Sequence, residues 1–212
     1  LIKNFAGINA SLAVKAGSVL KTLSPQNNIM ANAAVEESFP RNFAIYDLSQ
    51  FLGAVSLFDD PDFEFEDQFV TIRNGKNAVR YFYADESMIK AAGDKKIVLP
   101  SVEAEVNVTA VQLQEILKAA SVLQVPEIAL IGDESGIRLV AVDTKNNTSN
   151  RYSVDLDGEA NGNFRVIFKA ENIKVLNSDY LVQVCAKGIS RFNSEKLGVE
   201  YFIAIESTST FK

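Results

Sequence analysis

Two groups of charged side chains are candidates for chemistry in this chain. The acidic group is compact: Asp59-Asp60-Pro61-Asp62 runs on into Glu64, Glu66 and Asp67. Clustered carboxylates can hold a hard cation, or share acid and base roles in an enzyme. The spacing is not that of an EF-hand loop, and the run reads better as a solvated loop leading into a strand with an acidic outer face. The 212 residues include no histidine. That removes the commonest general base and the commonest metal ligand, and excludes a His-dependent hydrolase or a zinc site. The single cysteine, Cys185, ends the apolar run Leu181-Val182-Gln183-Val184-Cys185 and reads as core packing, not as a nucleophile. Its being alone excludes an internal disulfide and fits a reducing compartment. No GxGxxG, P-loop, CxxC or nucleophile elbow is present.

The basic group is dispersed, and its interest lies in placement: Lys3, Lys118, Lys169 and Lys174. Each falls on or beside a predicted helix. The clearest helix runs from Thr109 to Gln124. Thr109 followed by Gln112 is a capping-box pattern, and Leu113, Ile116, Leu117 and Ala120 make one apolar stripe. Lys118 lies five positions after Leu113, roughly 140° around an ideal helix, so it points away from that stripe. In the N-terminal helix LIKNFAGIN, Lys3 is opposite Phe5 by the same reckoning. A helix is predicted from Ile45 to Phe58, with Leu48, Phe51, Leu52 and Val55 on its inner face. A short one is predicted near Ala170 to Leu176, begun by Lys169 and carrying Lys174.

Between the helices the chain alternates. Phe63-Glu64-Phe65-Glu66, Val102 to Val106 and Tyr152 to Leu156 have period two, the mark of half-buried antiparallel strands. Asn74-Gly75, Asp157-Gly158 and Asn161-Gly162 supply turns. No apolar run is long enough for a membrane span, and none reads as a signal peptide. The sequons at Asn9, Asn107 and Asn147 therefore read as chance. The net charge is −6, with 47% hydrophobic and 23% charged residues. The whole surface is thus unsuited to non-specific nucleic-acid binding, although a global sum says nothing about one face.

The chain also repeats itself. Val79-Arg80-Tyr81-Phe82-Tyr83-Ala84 returns as Val199-Glu200-Tyr201-Phe202-Ile203-Ala204. AIYDLSQFL from Ala44 resembles VIFKAENIK from Val166, and Leu1-Ile2-Lys3 resembles Ile116-Leu117-Lys118. The offsets nearly agree and the order is kept, so two homologous halves are expected. Their boundaries are read as residues 1–90, a connector at 91–101, and 102–212. The repeat equates Lys3 with Lys118.

At this point the chain resembles the sliding clamp, the DNA polymerase processivity factor, of T4-like bacteriophages. The residues that carry the resemblance are LIKNFAGIN from Leu1, AIYDL from Ala44 with Phe51-Leu52-Gly53, LQEILK from Leu113, Ala186-Lys187-Gly188, and Tyr201-Phe202-Ile203-Ala204 leading to Glu206-Ser207-Thr208. The resemblance implies an α+β DNA-clamp fold, two repeated domains with antiparallel sheets outside and two helices each facing a central hole. It implies a homotrimeric ring around double-stranded DNA, placed by a clamp loader, holding a replicative DNA polymerase, with no active site, no cofactor and no membrane contact. It also implies action in the cytoplasm of an infected host cell.

Under that resemblance Lys3, Lys118, Lys169 and Lys174 are the candidates to face DNA, while an acidic exterior discourages binding outside. The outward positions of the Ile45–Phe58 helix, Gln50 and Gly53, are uncharged. The subunit joint is expected between the strand holding Val79, Tyr81 and Tyr83 and a neighbour's strand holding Tyr152, Val154 and Leu156. The second copy of the repeated strand is expected to join the two domains of one chain. A partner-peptide pocket is expected at Ile97, Val98, Leu99, Pro100 and Phe211, although Ile97 to Pro100 also reads as the start of a strand. A duplicated β-rich phage structural protein, from a capsid or tail, is the alternative; it gives no reason for lysines at equivalent helical sites. A carboxylate enzyme using Asp59, Asp60 or Asp62 is disfavoured by the absence of histidine and the confinement of these residues to one loop.

Overall fold

A computed structural model describes residues 1–94, 96–158 and 162–212. The chain divides into two compact units, residues 1–94 and 95–212, a division inside the stretch read as a connector. Among the described residues no helix is long and apolar enough to cross a membrane.

Unit 1 begins with helix α1 (Ile2–Ile8), which buries Phe5 and Ile8. Asn9 ends it, and that buried side chain is fully used. Its Oδ1 accepts from the Ser11 N–H and hydroxyl; its Nδ2 donates to the carbonyls of Leu23 and Lys90. Strand β1 (Leu12–Val14) pairs with β4 (Phe43–Ile45), and β2 (Gly17–Leu23) with β3 (Ile29–Phe39). Helix α2 (Leu48–Val55) is shorter than the predicted 45–58, because Ile45 is held in β4 and the Asp47 carboxylate caps the helix by accepting from the Gln50 N–H at 2.9 Å. Strands β5 (Asp62–Phe65), β6 (Phe69–Asn74) and β7 (Asn77–Phe82) form a meander with β7 at its edge. The β6–β7 turn has only Gly75 and Lys76 between the paired Asn74 and Asn77, and Gly75 takes the positive φ of 58° that such a turn requires.

Unit 2 begins with strand β8 (Ala104–Val108) and helix α3 (Ala110–Leu123). The capping box is present, with Thr109 and Gln112 bonded to each other's backbone, and the helix stops at Gln124 in the left-handed region. Leu113, Ile116 and Ala120 are buried; Leu117 is half-buried. Strands β9 (Glu127–Asp133), β10 (Gly136–Val142), β11 (Tyr152–Leu156) and β12 (Phe164–Lys169) follow. They stand in the order β11-β10-β9-β12, with a short β16 (Thr210–Phe211) beyond β12. The helix predicted near 170–176 is a single 3-10 turn, Ala170–Asn172. Strands β13 (Tyr180–Cys185), β14 (Ile189–Ser194) and β15 (Val199–Ala204) form a meander, with β8 added beside β13.

The units repeat one plan. Helix α1, strands β1–β4, helix α2 and strands β5–β7 correspond to α3, β9–β12, the 3-10 turn and β13–β15. The pairings β1–β4 and β2–β3 recur as β9–β12 and β10–β11. Strand β8 and the longer α3 fill the second core: Val108 and Leu113 line a space of only about 10 Å³. The corresponding region of unit 1 keeps an apolar cleft of about 580 Å³, lined by residues including Leu12, Val14, Phe51 and Phe63.

Candidate nucleic-acid interface

The helices give each unit an outward face of distinct chemistry. On α1 that face carries Lys3 and Gly7, both exposed. On α2 it carries Ser49, Gln50 and Gly53, exposed and uncharged. On α3, Val111, Glu115, Lys118 and Val122 lie within roughly 60° of one another at 100° per residue, and all four are exposed. Helix α3 therefore carries one cation and one anion, flanked by valines that are each 71% exposed. Lys169 and Lys174 flank the 3-10 turn, exposed but off any α-helix. The Lys169 Nζ lies 3.9 Å from Glu206 Oε1, which offsets its charge. Sequence reasoning overlooked Glu115 and Glu206; Glu115 could have been read from its position three residues before Lys118.

Two sheet edges lie next to these helices. Strand β7 has β6 as its only strand neighbour among the described residues, and β11 has only β10. Of the residues expected at a joint, Val154 and Leu156 are buried in the core of unit 2. Tyr81 packs edge-on against Phe51 at 5.2 Å between centroids, and Tyr83 stacks on Phe43 at 5.2 Å. Beside these packed side chains, Arg80 and Phe82 of β7 are exposed, Phe82 by 63%. On β11, Tyr152 is 39% exposed and its hydroxyl donates to the Glu115 carboxylate of α3. That bond holds the phenol above its ordinary pKa. Burial, and next the Asp47 charge, raises that of Tyr81.

Of the residues expected at a peptide pocket, Phe211 lies in a surface depression of unit 2. Phe164, Glu103, Asn163 and Lys212 line it with Phe211. Ile97 to Pro100 do not line it; Val98 stands 73% exposed. Phe164 had no signal in the sequence, because its place beside Phe211 comes from the pairing of β12 with β16.

Two carboxylates of the acidic run form ion pairs. Glu64 pairs with Arg73 at 3.0 Å and Asp67 with Arg41 at 2.8 Å. Among the described residues no cluster of His, Cys, Asp or Glu is arranged to hold a metal ion. Cys185 is fully buried, its Sγ 3.3 Å from the Ser101 hydroxyl.

Residues 105–207 match the family model described as gp45 sliding clamp, C terminal. The sliding clamp of Vibrio phage KVP40 is 32% identical over 214 residues, spanning 98% of this chain and 96% of that one. The chain belongs to the sliding clamp family. The sliding clamp of Enterobacteria phage T4 is likewise 32% identical, over 99% of this chain and 95% of its own length. Among solved structures, A. fulgidus PCNA with the C-terminal region of FEN-1 bound superposes with a TM-score of 0.73 at 16% identity, covering 99% of this chain and 94% of that one. The H. pylori beta clamp gives 0.71 at 14%, covering 98% and 63%. At such identities the likeness establishes the fold, and the DNA-clamp fold expected from the sequence is the one found.

Proposed function

We propose that this sliding clamp is a non-catalytic processivity factor, three copies of which close around duplex DNA and tether a replicative polymerase. The observation that carries the reading is the chain-long identity with phage sliding clamps, which runs through both units. Three two-unit chains make a closed cyclic assembly of six similar domains. The free edges of β7 and β11 support this, since an open edge invites pairing and a closed ring gives it one defined partner. On that reading β7, with Val79, Tyr81 and Tyr83, meets the next copy's β11, with Tyr152, Val154 and Leu156, through backbone bonds.

Lys3 and Lys118 are the lumen cations, with Lys169 and Lys174 as weaker contributors. Few contacts suit the task, because every phosphate neutralised strengthens binding and would slow sliding. A clamp loader would open and place the ring inside the infected cell. A polymerase tail would dock by apolar side chains near Phe211, Phe164 and the Ile97–Pro100 segment. Leu99→Asp tests that docking: unchanged binding of a polymerase C-terminal peptide would exclude the segment.

The function is tested by primed synthesis on a circular template with a T4-like polymerase and loader. Product length should rise sharply when the chain and ATP are both present. No increase would overturn the reading. In solution the mass should be about 70 kDa, three times 23.2 kDa.

A further inference from the structure

A tyrosine ties each of the two free edges to a helix. On β7, the Tyr81 hydroxyl donates toward Gln50 Oε1 and the Asp47 carbonyl, each at 3.1 Å. On β11, the Tyr152 hydroxyl donates to the Glu115 carboxylate. A second bond lies beside it: Gln112 Nε2 donates to the Asp155 carbonyl at 3.1 Å, while Gln112 Oε1 accepts from the Thr109 N–H and hydroxyl. Gln112 and Glu115 are one turn apart on α3, and Tyr152 and Asp155 lie toward opposite ends of β11. Helix α3 therefore holds the edge strand at two places along its length.

The Tyr152–Glu115 bond lies at the surface, and the folded core has little need of it. Its effect is on the edge. A strand paired on one side frays from its ends, and an edge that must match another chain gains from having its position fixed before contact. Tyr152 is the first residue of β11, where fraying would begin. The same bond occupies the only carboxylate on α3, next to Lys118 on the outward face.

We propose that Tyr152 and Glu115 are a positioning pair for ring closure, presetting the β11 edge to receive the β7 edge of the next copy. This rests on the ring reading above. The pair needs an acceptor, not a charge, since an amide serves Tyr81 in unit 1.

The test uses the full chain and three variants, Tyr152→Phe, Glu115→Ala and Glu115→Gln, with subunit exchange followed by mixing differently labelled trimers. Tyr152→Phe and Glu115→Ala should exchange about five to ten times faster, the loss of one hydrogen bond per joint. Glu115→Gln, which keeps an acceptor, should stay within about twofold of the parent. Thermal unfolding of the diluted, dissociated chain should be unchanged in all three. Exchange at the parent rate in Tyr152→Phe and Glu115→Ala would overturn the proposal. So would Glu115→Gln behaving like Glu115→Ala, which would point to charge. A parent chain that stays monomeric would overturn the ring reading itself, and the pair with it; failure of the pair alone leaves the parent trimer intact.

Discussion

The backbone N–H of Leu48 donates to the carbonyl of Ala10 at 2.8 Å. The bond has a twin: Ala170 donates to Pro126 at 2.9 Å. In each unit the start of the second helical element is fastened just beyond the end of the first helix. A second pair agrees, with Ala84 donating to Ala44 and Glu206 to Ile167. The two units share these backbone bonds where their side chains differ, so their outward faces can differ while their frames match.

The frame rests on the inner faces of the helices. Ile116 is fully buried on α3, whereas Val111 on the same helix is exposed. Ile116→Ala should cost about 2–5 kcal/mol of unfolding free energy, and Val111→Ser no more than about 0.5. Urea denaturation monitored by circular dichroism distinguishes them.

Gly53 sits inside α2 with an ordinary φ, exposed, and with nothing within 4 Å of where a Cβ would stand. No packing requires a glycine there. Gly53→Ala should therefore raise stability by about 0.5–1 kcal/mol in the same denaturation experiment.

Much of this was legible in the sequence, for identifiable reasons. The capping box at Thr109 and Gln112 and the stripe through Leu113 and Ile116 are local signals, and α3 follows them closely. The helix expected near 170–176 failed because its apolar pattern is short, and helix nucleation is costly for one or two turns without support; a 3-10 turn resulted. The Tyr152–Glu115 and Lys169–Glu206 contacts join residues 37 positions apart in each case. Only the strand order brings them together, and no periodicity records that order.

Lys3 and Lys118 should act differently from Lys169. Replacing either by alanine should reduce the slope of log affinity against log salt by about one on a short duplex. Lys169→Ala should change it less, because Glu206 already offsets that charge. Fluorescence anisotropy across a salt series measures the slopes.

Burial pushes the phenol of Tyr201 up to about 12, and that of Tyr180 up further. Both are neutral in the fold at pH values where the unfolded phenols, near pH 10, have begun to ionise. Above that point the unfolded chain binds fewer protons than the folded one, so stability must fall as pH rises. Unfolding free energy should be flat with respect to these groups below about pH 10 and decline toward pH 12. Tyr201→Phe, which also removes the acceptor for the Leu176 N–H, should start lower but decline less steeply.

On the ring reading proposed above, the chain is held on DNA by enclosure and not by affinity. The direct measurement loads it onto a nicked circular duplex with loader and ATP, isolates the complex by gel filtration, and then cuts the circle once. The chain should stay with the circle in high salt and leave when the DNA becomes linear. Equal retention on circular and linear DNA would rule out enclosure.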